Sequence, residues 1–390
     1  MDNFRTLPIY SFIYTIPYLI LWLFVFMIGY DVIVRKKPNE TFSNNKLVTV
    51  FLAFLLFFGL RWHIMTDSIA YYYEYRNISP ILEWNYIESH SQWWDKGFVV
   101  FTMITKLISN DFSFFVFVNS LIDFILLFIC IKKYSINIPL SCLLFLSFQG
   151  ILIEINLFRN IKAILLFIYS LSYINKKQFI KFAICNGIGF TLHASALIYF
   201  PMYWILRYRY NTKVIIIFSA VLTTLYLLGN NLLKDYVFLI AEGDNGTATS
   251  KLLYYATNFE SHVFTLGTIE RIGTLILSIY VYNKVNKDDN YFKLFFNSYI
   301  IFYALYALFG FNEVLVDRIP TLFYFSYWFL YPYIYMYFKN NPVIRKTILI
   351  FLIIKVYMST NFCTALYENV LFDTSTIYER NILINKILSL

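Results

Sequence analysis

The sequence predicts an all-α, polytopic integral membrane helical bundle of about 12 spans, and three observations carry that prediction. Hydrophobic residues make up 59% of the 390 and charged residues only 14%, too little polar surface to coat soluble domains of this size. Apolar runs long enough to cross about 30 Å of hydrocarbon recur from Pro8 to Thr360, separated by short polar punctuation. Lysine and arginine gather in alternate short loops, as the positive-inside rule requires of a multispanning chain. One membrane domain, 1–390, follows, without a soluble module.

Taken in order, the expected spans are 8–30, 47–60, 112–131, 138–156, 160–175, 178–192, 194–206, 214–229, 265–283, 294–310, 319–338 and 347–360. The first is too long for a signal-peptide core and lacks a small-residue cleavage site, so it is read as a mature span. Arg35, Lys36, Lys37 and Lys46, then Lys132 and Lys133, then Lys176, Lys177 and Lys181, mark successive cytoplasmic loops. Arg207, Arg209 and Lys213, then Lys284, Lys287 and Lys293, then Lys339, Arg345 and Lys346, continue the series. Both termini and most acidic residues then fall outside. The two long outer segments are 61–111, whose apolar stretch Gly97 to Ile108 is too short to cross and reads as re-entrant or interfacial, and 230–264. A hairpin broken at His193 is expected over 182–206, because a single span there would put every later basic loop on the wrong side.

The net charge of +9 needs no nucleic acid to explain it, since the inner loops account for it. Heavy use of isoleucine, phenylalanine, tyrosine, asparagine and lysine fits an AT-rich genome and makes the aromatics weak evidence for binding. Cys130, Cys142, Cys185 and Cys363 form no C-x-x-C pair and have no nearby histidine, so they read as inert thiols.

Four constellations can carry chemistry. Gly59 to Asp67, followed by Tyr71, Tyr72 and Tyr73, sets Arg61 at a span end, where a planar fork of donors can grip phosphate and Asp67 can serve as a base. An interfacial anchor with an aromatic belt is the plainer reading. Asn156 to Ala163 carries Arg159 and, one turn further in, Lys162. A buried cation costs roughly 2.5–3.5 kcal/mol on insertion scales, so Lys162 should face a wet cavity or a partner such as Glu154 or Asp123. Phe190 to Leu197 holds His193 in an apolar stretch, where it can act as a base, bond a substrate hydroxyl or join helices. Gly187 and Gly189 upstream read as close-packing positions. Asn312 to Pro320 carries Asp317 and Arg318, and Arg271 beside Glu270 is a weaker candidate of the same kind. Four arginines on one face favour an acidic substrate. No Walker, H-E-x-x-H, G-x-S-x-G or zinc-type spacing is present, which argues against an ATP-driven pump and a metalloprotease.

In order and spacing these constellations resemble the EpsG/Wzy-type family of bacterial polysaccharide (O-antigen, capsule, exopolysaccharide) polymerases over roughly residues 10–340. The matching positions are Arg61 with Asp67 and Tyr71, Asp95 with Gly97 and Phe98, Arg159 with Ala163, His193 with Ser195 and Ala196, and Asp317 with Arg318. Met65 stands where the family has glycine, Thr66 where a small residue precedes the aspartate, and Lys162 where the side chain is uncharged. The resemblance implies a bundle like that of GT-C-type membrane glycosyltransferases. It would sit in the bacterial cytoplasmic (inner) membrane with its site facing outward. The reaction implied moves a glycan from an undecaprenyl-pyrophosphate-linked donor to a lipid-linked repeat-unit acceptor. Asp67 and His193 would be catalytic, Arg61, Arg159 and Arg318 would bind the pyrophosphate, and Tyr71, Asp95, Lys162, Arg271 and Asp317 would contact substrate. No cofactor or metal is implied, because cations can stabilise the departing pyrophosphate. The partners expected are the lipid-linked oligosaccharides, the lipid bilayer, a flippase and a chain-length regulator, with no nucleic acid. A membrane acyltransferase acting on surface glycans and a lipid-linked glycan flippase are the alternatives, the second kept open by Asp123 and Lys162. The outer segment 230–264, with Glu242, Asp244, Tyr254, Tyr255 and Phe259, is expected to read the sugar.

Overall fold

A computed structural model describes residues 4, 6–35, 42–80, 84–90, 95–228, 265–286, 289–372 and 374–388. Among them every regular element is a helix, and isolated bridges are the only extended pairings. The segment 230–264 lies outside the described residues.

Contacts divide the chain into two compact units, residues 1–203 with 338–390, and residues 204–337. In the first, α1 (Phe12–Ile33) and α2 (Asn44–Gly59) start on serine caps, Ser11 and Ser43, whose hydroxyls accept otherwise unpaired backbone N–H groups. Three helices follow in the segment 61–111: α3 (Asp67–Asn77), α4 (Trp84–His90) and α5 (Lys96–Ile108). Lys106 of α5 donates to the carbonyls of Tyr75, Arg76 and Ile78, satisfying the C-terminal end of α3 with a cation where the helix dipole favours one. The stretch Gly97 to Ile108 is thus a helix packed by Phe98, Val99 and Met103 into an aromatic cluster with Tyr75, Phe112 and Phe115.

The long helix α6 (Phe112–Tyr134), capped by Asp111, is followed by a broken pair, α7 (Ile138–Ser147) and α8 (Gly150–Asn156). The pair bends by 64°, and Gln149 takes a left-handed φ of 59° at the break. Breaking a helix here turns Glu154 into the interior, where it is fully buried. Next come α9 (Asn160–Asn175) and α10 (Phe179–Leu192), which pack along each other, and then a 3-10 turn, Ala194–Tyr199. The ring of Tyr203 returns to lie 5.1 Å from Phe179 and 5.3 Å from Phe182, so the chain reverses at His193 as a hairpin. Helix α6 packs on α2 and α9, and α1 packs on α7. Phe54 is fully buried among Phe58, Phe124, Phe128 and Phe145, edge to face with Phe124 and Phe128 as ring quadrupoles prefer and tilted against the other two.

The second unit holds α11 (Thr212–Leu227), α12 (Leu266–Tyr282), α13 (Asn290–Phe309), α14 (Glu313–Arg318) and α15 (Phe325–Tyr337). Helix α13 is its centre, packed by α11, α12 and α15. The chain then completes the first unit with α16 (Pro342–Thr360), packed on α1 and α7, and α17 (Ile377–Leu388).

Among the described residues α1, α6 and α13 are each long and apolar enough to cross a membrane, and the bent pair α7 with α8 passes that test together. Helix α6, at 23 residues, is about 34 Å long. Helices α2, α10 and α11 and the segment 194–205 are apolar but shorter. The other expected spans coincide with helices that are too short or, in α16, more charged. The chain is an all-helical membrane protein. Within the first unit, Lys133 near the end of α6 lies over Tyr169 and Tyr173 of α9 and bonds Ser172, so the lysine-rich ends of these two helices meet.

Candidate functional site

At the other end of α9, three separate segments of the first unit are tied by one carboxylate. Asp95, just before α5, accepts from the Arg159 guanidinium through Oδ2 at 3.2 Å and from the backbone N–H of Ala194 through Oδ1 at 3.0 Å. Burial pushes the Asp95 carboxyl up, against the opposing pull of Arg159 and of Ala194 N–H. One glycine is required for the approach and a second lies in close contact beside it. A Cβ on Gly97 would fall 2.5 Å from the Thr191 hydroxyl and 2.7 Å from its carbonyl, so only glycine lets the start of α5 abut the end of α10. A Cβ on Gly189 would stand 3.4 Å from the Cα of Ala163 and 3.6 Å from the Cβ of Ala196. Small residues at 163, 189 and 196 therefore let α9, α10 and the 3-10 turn close on one another. Gly187 meets nothing within 4 Å, so the close-packing expectation holds at Gly189 and fails at Gly187.

His193 caps the 3-10 turn: its Nδ1 accepts from the backbone N–H of Ser195 at 3.1 Å and lies 2.7 Å from the Ser195 hydroxyl. That hydroxyl donates to Asn160 Oδ1 at 3.0 Å. A nitrogen that accepts a backbone N–H carries no proton, so the neutral ring holds its proton on Nε2. Burial, reinforced by the Arg159 charge, lowers the His193 pKa to about 4. At neutral pH the residue is thus a donor through Nε2 and a poor base.

Tyr71 of α3 is buried against Phe158, with ring centroids 4.7 Å apart, and its hydroxyl bonds Arg159. Burial raises its pKa, Arg159 opposes that, and Asp67 is near enough to add to it. Asp67 opens α3 with an exposed side chain that accepts from Thr66 Oγ1 at 3.1 Å. Just before it, Met65 takes a left-handed φ of 62°, a conformation that favours the glycine expected there from the resemblance. Buried His63 stacks on Phe112 and contacts Ser68 at 3.0 Å through Nδ1; burial and then the Arg380 charge lower its pKa to about 4.

Arg61 and Lys162 face inward. The Arg61 guanidinium donates to Phe58 O, to Ser120 Oγ at 2.9 Å and to Glu154 O at 3.1 Å, and lies 3.5 Å from the Glu154 carboxylate. Lys162 pairs with Asp123 at 2.9 Å and donates to Phe158 O at 3.0 Å. All four charged groups are at most 3% exposed, so the two cations and two carboxylates neutralise each other away from solvent. Of the two partners anticipated for Lys162, the structure selects Asp123.

Arg271, Asp317 and Arg318 belong to the second unit. Arg271 of α12 lies 4.1 Å over the Tyr306 ring and donates to the Tyr324 hydroxyl at 2.8 Å, while Tyr299 donates to its carbonyl. Asp317 and Arg318 are exposed on α14, and the Asp317 carbonyl accepts from Thr321 Oγ1.

Residues beyond Thr360 were invisible to sequence reasoning. Glu368 and Arg380 form a 2.9 Å ion pair in which Arg380 is 3% exposed, and the segment around them bonds the backbone of 60–65. The one available signal was a charged, irregular stretch after the last apolar run, which says nothing about its contacts.

Comparison with known proteins adds a family. A model of the EpsG family matches residues 45–372, covering every motif position from Arg61 to Arg318. No curated protein and no solved structure matches the chain.

Proposed function

The chain belongs to the EpsG family, and from that premise we propose that it is a polysaccharide polymerase of the bacterial cytoplasmic membrane. It transfers a glycan from an undecaprenyl-pyrophosphate donor to a lipid-linked repeat unit at the extracytoplasmic face, receiving its substrates from a flippase and yielding its product to a chain-length regulator. The bundle carries about a dozen crossings by the positive-inside count, in the manner of GT-C-type glycosyltransferases. The observation that carries this reading is the Asp95 tie: Asp95 holds Arg159 and the Ala194 N–H beside His193, and Arg159 in turn meets Tyr71, so residues of distant family motifs converge in the first unit.

In the reaction the acceptor hydroxyl attacks the anomeric carbon, the bond from that carbon to the pyrophosphate oxygen breaks, and the acceptor proton is removed. Asp67, exposed at the start of α3, takes the proton. Arg159, oriented by Asp95, and His193 through Nε2–H stabilise the negative charge gathering on the departing pyrophosphate. Arg61 and Lys162 act from within, fixing α2, α6, α8 and α9 behind the site. The segment 230–264 reads the sugar.

Deleting the gene and sizing the surface glycan tests the activity. Single repeat units support polymerisation; normal length without acyl groups means an acyltransferase, and loss of all surface glycan means a flippase. Arg159→Lys keeps the charge but loses the fork, and should lower polymer output by about a hundredfold in a protein that still inserts. Near-normal output from that variant would remove Arg159 from the site.

A further inference from the structure

The chain beyond α16 runs along the segment 60–65 of the first unit and bonds it at several points. Val370 N–H donates to Leu60 O at 2.8 Å, Trp62 N–H to Glu368 O at 2.9 Å and Met65 N–H to Thr364 O at 2.8 Å. Arg61 and Asn369 face each other across an antiparallel bridge, and Trp62 Nε1 donates to Ser375 O at 2.8 Å. Tyr367 stacks on Phe57 at 4.2 Å and donates to its carbonyl. The same stretch is fixed to α1, with Cys363 N–H on Ile9 O at 2.8 Å and Tyr18 on Ala365 O at 3.0 Å.

What holds this stretch in shape is one buried guanidinium. Arg380 of α17 reaches Glu368 at 2.9 Å, Ser375 Oγ at 2.8 Å and Leu366 O at 2.8 Å, and Glu368 Oε2 also accepts from the Ser375 N–H and hydroxyl, each at 2.8 Å. A short irregular segment closed by a multiply bonded ion pair is held in one conformation, because removing Glu368 strands the buried charge of Arg380 and removing Arg380 takes away three of the segment's bonds. The left-handed backbone of Met65 is a conformation that persists only where its surroundings over-determine it, and Thr364 O supplies that restraint.

We infer that Arg380, through Glu368, is a positioning residue for the transfer reaction: it locks the C-terminal segment into a clamp that sets the path of Trp62–Asp67. The inference rests on the reading that Asp67 serves the reaction. Arg61 is anchored separately by Ser120 and Glu154, so loosening the clamp displaces the half of the segment that leads to Asp67.

Cys363 provides a native reporter, being buried in the clamp beside Tyr14 and Leu383, while Cys185, in the middle of the apolar helix α10, stays shielded unless the whole bundle loosens and so controls for general unfolding. Arg380→Ala, Arg380→Lys and Glu368→Gln variants are expressed in cells lacking the native gene, polymer length is compared at matched membrane levels, and the purified proteins are labelled with a membrane-impermeant maleimide and mapped by peptide mass. Arg380→Ala should speed Cys363 labelling by about tenfold or more with Cys185 unchanged, and should shorten the polymer. Arg380→Lys, which keeps a charge on Glu368, should restore Cys363 protection and polymer length together, a paired recovery that general stabilisation would not produce at one cysteine alone. Unchanged Cys363 labelling in both Arg380→Ala and Glu368→Gln overturns the clamp, whatever the function. Faster labelling with normal polymer length leaves the clamp but overturns its service to the reaction, while loss of polymer in Asp67→Asn is the separate test of the Asp67 reading.

Discussion

Met65 shows what a single departure from a family pattern costs. Its φ of 62° is a region where an L side chain is disfavoured by roughly 1–2 kcal/mol, yet its side chain is 6% exposed and gains from burial. Truncation separates the two effects. At an ordinary site alanine is more stable than glycine; here Met65→Gly should be more stable than Met65→Ala by about 1 kcal/mol, read as the difference in thermal unfolding of the two variants in detergent. The reverse order would mean the backbone relaxes when the side chain is lost. His63 carries a different signature. Its pKa is about 4 in the folded chain against 6.5 for a free ring, so between those values the unfolded chain binds a proton that the native one does not. Stability should therefore fall as pH drops from 6.5 toward 4, by at most about 3 kcal/mol at roughly 1.36 kcal/mol per tenfold in proton affinity. His63→Gln should flatten that slope in melts taken across the window. The sequence told which residue types stood at 61–67 but not their directions: Arg61 reads as an outward phosphate grip and in fact spends its donors on Ser120 and Glu154.

The hairpin of α10 and the 3-10 turn, with α5 lying against its tip, is the element on which the Asp95 tie depends. Gly97→Ala places a methyl group where the Thr191 hydroxyl and carbonyl stand, so α5 must move away and Asp95 must leave Ala194 N–H. Polymer output should drop by about tenfold or more, whereas Gly187→Ala, in open space within α10, should stabilise by up to about 1 kcal/mol and leave output unchanged. Equal effects of the two changes would show that the contact at Thr191 is dispensable. The distribution of charge revealed the hairpin, because basic loops on both sides forced a reversal at His193, and the ring of Tyr203 against Phe182 bears it out. Periodicity could not separate Gly187 from Gly189, since which glycine meets a neighbour depends on how helices are rotated about their axes. Nor could it reveal α3, α4 and the role of Lys106, which are short, polar and fixed by tertiary contacts.

Across the first unit, the Asp123 and Lys162 pair links α6 to α9 where neither helix could keep its charge alone. Asp123→Leu leaves an unpaired buried lysine and should cost about 3–5 kcal/mol, while adding Lys162→Met should recover most of that loss. Folded yield and melting temperature of the two variants decide it, and a double variant no better than the single would argue against the pairing as the source of the cost. The helical class, the basic loops and the order of the motifs were all legible because hydropathy and charge are local properties. The burial of four charges around Glu154 was not, because it depends on a helix broken at Gln149 that reads in sequence as one apolar run. That pair also constrains the order of events in biogenesis. Asp123 precedes Lys162 by 39 residues, so a nascent chain that has delivered α6 to the membrane holds a carboxylate whose counterion is still to be synthesised. A lone carboxylate at mid-bilayer is costly, and α6 is best retained beside the insertion machinery until α9 emerges. Helices α6 to α9 of this protein thus have reason to enter lipid as a cohort rather than singly, with synthesis of Lys162 as the moment of release.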